Sequence, residues 1–228
     1  MHKMLKISKR LCTVASYVRS GAVVADIGTD HAYLPIYLAL EKKIKRAVAS
    51  DINEGPISRA RENISKYNLV EIIDTCISDG LDGIEKYSPT DILICGMGGE
   101  LIAQILEKSQ YAKKEGVRLI LQPMTSVYEL REYLQNGYFT FAENIVSEDN
   151  KLYQIICVEY DGQYHGMTRA QLELGSKNIE NGGDEFEKLL FSAIAKKQKK
   201  LDGLRLGGHS TKEIEAELEE LKALEGRS

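Results

Sequence analysis

No stretch of this 228-residue chain approaches the roughly 20 consecutive apolar residues of a membrane-spanning helix. Nor does it open with an apolar region leading to a small-residue cleavage site, so the expectation is a soluble, cytoplasmic protein with no membrane partner. Cysteine is sparse. Cys12, Cys76, Cys95 and Cys157 are scattered without a C-x-x-C pair, and the last three sit in apolar, strand-like runs. Buried, reduced thiols are therefore expected rather than disulfides or metal ligands. His2, His31, His165 and His209 form no H-x-x-x-H or similar ligand pattern, and no metal is expected. The net charge of −4 and pI near 5.7 lack the broad basic footprint of a general nucleic-acid binder.

What the chain does have is a hydrophobic content of 43%, enough for a sizeable core and one domain of usual size with a smaller appendage. Its charge is uneven. Lys3, Lys6, Lys9, Arg10 and Arg19 occur within residues 1–25 without an acid, whereas Glu213, Glu215, Glu217, Glu219 and Glu220 crowd the end. Ile7, Leu11, Val14 and Val18 predict an opening amphipathic helix stopped by Gly21. Apolar runs at 23–28, 46–52, 71–78, 91–97 and 117–123 then alternate with helical patterns at 34–43, 57–67, 100–108 and 126–136, the last closed by Gly137. Continuous apolar runs fit strands covered on both faces, hence a mainly parallel α/β sheet. Runs at 139–148 and 151–161 are separated only by Asp149 and Asn150, too short for a crossover helix, so they form an antiparallel hairpin at the end of the sheet. Beyond residue 165 the pattern is helical, with capping boxes read at Thr168/Gln171, Asp184/Glu187 and Ser210/Glu213. Helices over 184–206 and 211–224, joined through Gly207 and Gly208, form an antiparallel helical hairpin or short coiled coil. The expected division is a domain over 1–165 and a helical domain over 166–228.

Ligands of open α/β sheets bind beyond the carboxyl ends of the strands, and polar or glycine residues collect there. Gly28, Asp30 and His31 end the first strand, Asp51 and Ile52 the second, Asp79 and Gly80 the third, and Gly96, Met97, Gly98 and Gly99 the fourth. The first turn has only one glycine of the G-x-G-x-x-G pattern with which a pyrophosphate is cradled. Asp30, followed by Pro35, puts negative charge where a phosphate would lie. Asp51, 23 residues beyond Gly28, suits the vicinal hydroxyls of a ribose and repels a 2′-phosphate. A phosphate-free adenosine ligand with positive charge fits these residues, and S-adenosyl-L-methionine meets that description. The strand after Asp91 also lacks the N-P-P-Y-like motif of enzymes acting on exocyclic base amines, reading DILICGMGG instead.

The one-glycine loop and terminal hairpin resemble the Rossmann-like class I methyltransferase fold, with six parallel strands and one antiparallel strand. More narrowly, SKRL at 8–11, DIGTDHAYLP, ASDIN at 49–53, SDGL at 78–81, ICGMGG at 94–99, LQP at 121–123 and the ENIVSEDNKLYQII hairpin resemble the bacterial tRNA (adenine-22-N1)-methyltransferase family. The match runs over residues 1 to about 162 and, in general form, through the helical tail. It implies methyl transfer to N1 of an adenine in the D-arm region of tRNA, with tRNA as partner. The cofactor residues it implies are Arg10, at the cofactor carboxylate, with Asp26, Gly28, His31, Tyr33, Asp51, Ile52, Asp79, Gly80, Gly96 and Met97. Lys9, Gly98, Gly99, Gln122, Lys196 and Lys200 are expected to contact the substrate, and Asp30 to stabilise the cationic product. Two alternatives stay open on sequence alone: a small-molecule or protein methyl acceptor, and a cofactor-binding module without turnover.

Overall fold

The computed structural model describes residues 5–226, so His2 and Lys3 lie outside the described residues. The chain runs α1 (Lys9–Tyr17), β1 (Ala22–Ile27), α2 (Tyr33–Leu40), β2 (Ile44–Asp51), α3 (Glu54–Lys66), β3 (Ile73–Ile77), β4 (Asp91–Gly98), α4 (Gly99–Lys108), β5 (Arg118–Thr125), α5 (Val127–Leu134), β6 (Asn136–Glu148) and β7 (Lys151–Tyr164). Four helices follow: α6 (Arg169–Leu174), α7 (Ser176–Asn181), α8 (Asp184–Leu206) and α9 (Lys212–Lys222). One seven-stranded sheet has the order β3-β2-β1-β4-β5-β7-β6. β7 is antiparallel to both its neighbours, and the other six strands share one direction, as the sequence implies.

Both faces of the sheet are covered, which is why the strands read as unbroken apolar runs. On one face Val24, Ala49, Leu93 and Ile120 pack with α1, α2 and α3 through Val14, Ile36 and Ile64. On the other, Ala25, Val48, Ile94 and Leu121 pack with α4 and α5 through Ile102, Leu106 and Leu130. Asp149 and Asn150 make the two-residue turn of the β6–β7 hairpin with φ of 49° and 59°. Their short polar side chains tolerate that left-handed conformation. In the tail, Phe186, Leu190 and Ala193 of α8 face Leu221 and Leu224, and Leu201 faces Ile214 and Leu218, so α8 and α9 lie antiparallel.

Several boundaries differ from the sequence reading. α1 ends at Tyr17, before Gly21. α5 ends at Leu134, and Gly137 belongs to β6, where a β-carbon would meet the Tyr160 ring at 2.8 Å. That glycine therefore serves ring packing and not helix termination. Thr168 does form a capping box with Gln171, but α8 and α9 are preceded by Gly183 and Thr211, so Asp184 and Ser210 are not their caps. Cys12 is exposed, Cys76 and Cys95 are half-buried, and only Cys157 is buried; all four thiols are free.

The helical tail packs on β6 through Ile145 and is tied to the sheet by a buried arginine as well. Arg131 of α5 is 1% exposed. Its Nε donates to Glu143 Oε1 at 2.8 Å and its Nη2 to Gln154 Oε1 at 2.7 Å. Nη1 donates to the carbonyls of Leu172 and Glu173, both at 3.1 Å, while Glu143 Oε2 accepts the Lys177 N–H at 2.9 Å. A β-carbon at Gly175 would strike both the carboxylate and the guanidinium. Replacing one partner of such a pair strands the other charge in a dry interior. Arg131→Met is expected to lower unfolding stability by about 3–5 kcal/mol, with Glu143→Gln in the same chain restoring part of it. Urea denaturation followed by circular dichroism measures this, and a loss under about 1 kcal/mol would mean water reaches Glu143.

Candidate active site

The strand order reverses between β1 and β4, and the ends of these two strands open the crevice. Gly28 leaves β1 at φ 73°, and the N–H groups of Gly28 and Thr29 both donate to the Ser50 carbonyl at 2.8 Å. The loop is thereby pinned to β2. Thr29 Oγ1 accepts the Ala32 N–H at 3.1 Å, and Ala32, at φ 55°, turns the chain into α2. On the opposite strand Gly96, at φ 82°, lies at a register shift between β4 and β5. A β-carbon on Gly96 would meet open space, whereas one on Gly28 would strike the Met97 methyl group.

Between these glycines lies a cleft of about 360 Å³, lined by Arg10, Asp26, Gly28, Tyr33, Cys95 and Gly96 among others. Asp26 forms its inner wall. It is 7% exposed, and burial pushes its carboxyl up to about 6, against the opposing effect of a hydrogen bond with Thr29. Arg10 enters from α1, held by the Gln122 side-chain oxygen, with the Tyr153 ring 5.2 Å from its guanidinium carbon and Glu148 4.0 Å from its Nε. Burial drives the Cys95 thiol far above its ordinary range, so it stays protonated.

Along the neighbouring strand ends, Asp51 Oδ1 accepts the Asn53 N–H at 2.8 Å, leaving Oδ2 without a hydrogen-bond partner among the described residues. Ile52, 58% exposed, is an apolar side chain held open to solvent at the strand end. Asp79 is exposed, and Gly80, at φ 59°, sits where a β-carbon would press on Ile105 at 3.1 Å. The same β1–α2 loop is also held by α3. Arg59 Nη2 donates to Asp30 Oδ1 at 2.7 Å, His31 Nε2 lies 3.2 Å from Asp30 Oδ2, and Asn63 Nδ2 donates to the His31 carbonyl at 3.1 Å. The His31 and Tyr33 rings stack with centroids 5.0 Å apart.

The structure thus brings together Arg10, Asp26, Gly28, Asp30, His31, Tyr33 and Gly96 in one cleft, with Asp51, Ile52, Asp79, Gly80 and Met97 at adjoining strand ends. Asp30 differs from expectation in detail: its side chain is 67% exposed and its charge is shared with Arg59, so it repels a phosphate less than an isolated carboxylate would. Gly98 leads into α4, while Gly99 is buried with its α-carbon toward the Ser126 backbone, where close packing demands glycine. Lys9 is tied to Glu148 through its backbone N–H at 2.8 Å. Lys196 and Lys200 are exposed on α8, outside the cleft lining; Lys197 between them is paired with Glu217 at 2.6 Å and Glu173 at 3.4 Å. Thr29 and Cys95 line the cleft without having been singled out, although the strand-end rule that selected their neighbours covers them too. Arg59 carried no signal, because its partner is 29 residues away.

A family model described as a methyltransferase domain matches residues 7–156. The tRNA (adenine(22)-N(1))-methyltransferase of Bacillus subtilis is 44% identical over 170 residues, covering 72% of this chain and 71% of that protein. The crystal structure of the B. subtilis m1A22 tRNA methyltransferase TrmK superposes with a TM-score of 0.88 at 35% identity, covering 96% of this chain and 99% of that one. The Mycoplasma capricolum TrmK in complex with its cofactor product, S-adenosyl-homocysteine, superposes with a TM-score of 0.82 at 30% identity, covering 97% of each chain.

The buried Asp26 makes stability depend on pH. The unfolded chain ionises it near 3.8 and the folded protein only near 6, so its stabilising share is complete below about pH 3.8 and is lost as pH rises through 6. That share is on the order of 3 kcal/mol. Asp26→Asn should therefore gain stability on the wild type at pH 8 relative to pH 5. Thermal melts of both proteins at the two pH values test this, and a difference that does not change with pH would show that Asp26 ionises as freely in the folded state.

Proposed function

We infer that this chain, which belongs to the tRNA (adenine-22-N1)-methyltransferase family, does what its relatives are named for. It transfers a methyl group from S-adenosyl-L-methionine to N1 of adenine 22 in tRNA. The observation that carries this reading is the 44% identity to the B. subtilis enzyme, joined to a cleft whose chemistry suits the same cofactor. The cleft volume falls in the range of small-molecule sites. It offers carboxylates and one arginine in place of a nest of phosphate-binding N–H groups, and Gly96, beside open space, lets a ligand approach the backbone closely. The work belongs in the cytoplasm, where tRNA is.

When bound, S-adenosylmethionine supplies a sulfonium methyl group open to in-line displacement. The chain's own residues do the rest by binding and orientation. Asp51 would hold the ribose hydroxyls, Ile52 and Met97 the adenine ring, and Asp79 with Gly80 its polar edge. Arg10 takes the carboxylate, and Asp26, His31 and Tyr33 enclose the amino-acid end. N1 of neutral adenine already carries a lone pair, so no strong base is required. Because N1 is on the pairing edge, the target base must leave its stack, and the half-exposed Tyr33 gives it an aromatic wall at the cleft. Asp30, oriented by Arg59 and His31, stabilises the positive charge that enters the ring. Residues 1–165 hold the cofactor; the helical domain over 166–228 meets tRNA phosphates through Lys196 and Lys200, with Lys9 contributing from α1.

Incubation with methyl-labelled cofactor should label tRNA lacking the modification, and nucleoside analysis should find 1-methyladenosine. Changing adenine 22 should abolish labelling, and the Lys196→Glu/Lys200→Glu pair should raise KM for tRNA about tenfold. Retained labelling on the altered tRNA would refute the position, and an unchanged KM the tail contact. Calorimetry separates the carboxylates. Asp51→Ala should cost about 1.5–3 kcal/mol of S-adenosylhomocysteine affinity. Asp30→Asn should slow turnover about tenfold while leaving that affinity near wild type. Unchanged affinity in the first or unchanged turnover in the second removes that residue from its role.

A further inference from the structure

Gln122 of β5 is fully buried beside Cys95 of β4. It lies two residues beyond Ile120 and therefore on the sheet face shared with Val24 and Asp26. Its amide nitrogen donates to the Pro123 carbonyl at 2.9 Å and to the Met124 sulfur at 3.6 Å. Both N–H bonds are thereby engaged, and the amide oxygen faces α1, where it accepts from Arg10 Nη1. An amide is neutral, so this contact orients the guanidinium without cancelling its charge. Glu148, the carboxylate paired with Arg10 among the described residues, approaches Nε only to 4.0 Å. An arginine with five donors then has several left for the cleft that it lines with Gly28 and Gly96.

We propose that Gln122 is a positioning residue for cofactor recognition and not a substrate contact: it fixes Arg10 as an uncancelled cation that receives the α-carboxylate of the methyl donor. The proposal deepens the cofactor reading given above and rests on it. A glutamate at this position would be nearly isosteric but would form its own ion pair with Arg10 and compete with the ligand. A methionine would fill the space and leave Arg10 without its acceptor.

Calorimetry with two ligands tests the proposal: S-adenosylhomocysteine, which carries the α-carboxylate, and 5′-methylthioadenosine, which lacks it. Gln122→Glu should weaken S-adenosylhomocysteine about tenfold and change methylthioadenosine by less than about twofold. In turnover, KM for the methyl donor should rise by a similar factor with kcat within about twofold. On an Arg10→Gln background the same substitution should add less than about twofold, since the residue acts through Arg10. Equal losses for both ligands, no loss for either, or full additivity with Arg10→Gln would overturn the proposal. Should Gln122→Glu fail to fold, Gln122→Met carries the same comparison, with a several-fold loss expected for the carboxylate ligand alone. A wild-type protein that bound neither nucleoside would overturn the cofactor reading itself, a result distinct from failure of the Gln122 assignment.

Discussion

β1 and β4 lie side by side, yet the helices that follow them go to opposite faces of the sheet: α2 packs with α1 and α3, and α4 packs with α5. The two chains must diverge where the strands end, and the crevice is the space they leave. Its position follows from strand order, before any side chain is considered. The glycines follow from the crevice. Gly28 and Gly96 both take left-handed φ values there, which lets one chain turn sharply and keeps β-carbons out of the gap.

Three buried acids show how the same fold uses charge in different ways. Asp91, at the start of β4, is fully buried but accepts the Arg19 N–H and Nε, both at 2.8 Å. Glu143 is equally buried and satisfied by Arg131 and the Lys177 N–H. These two hold elements together. Asp26 has Thr29 alone to support it among the described residues, and burial outweighs that bond and raises its pKa. A carboxylate left in that state at the wall of a cleft favours the arrival of a positive group, which structural ion pairs do not.

The sheet was legible because strands buried on both faces are apolar throughout, and because strand-end residues cluster by topology alone. DIGTDHAYLP and ICGMGG could be assigned to one site from spacing and the expected order of strands. Contacts between distant residues left no comparable mark. Arg59 looks like any solvated arginine on α3, and Arg131 occupies a helix position that periodicity cannot distinguish from surface. Local rules also competed: Asp184 followed by Glu187 satisfies the capping pattern, but Gly183 precedes the helix and takes the cap position. Gly137 follows a helical pattern and so resembles a helix stop, but the ring it accommodates belongs to Tyr160 on another strand.

Those long-range contacts form a mechanical chain between parts that the sequence presents as separate. Arg131 binds Glu143 on β6 and Gln154 on β7, and also the carbonyls that end α6. The same two strands run on to the hairpin tip, where Glu148 accepts the Lys9 N–H and lies near Arg10, and where Tyr153 supports the guanidinium. Arg10 therefore depends on β5 through Gln122 and on the β6–β7 hairpin through Glu148 and Tyr153. The hairpin in turn is fixed from its other face by the helical tail. Methyl transfer to a nitrogen that already has its lone pair asks mainly for exact placement of two reactants. In this fold the placement of Arg10 is set by contacts that reach through the inserted antiparallel strand to the helices beyond it.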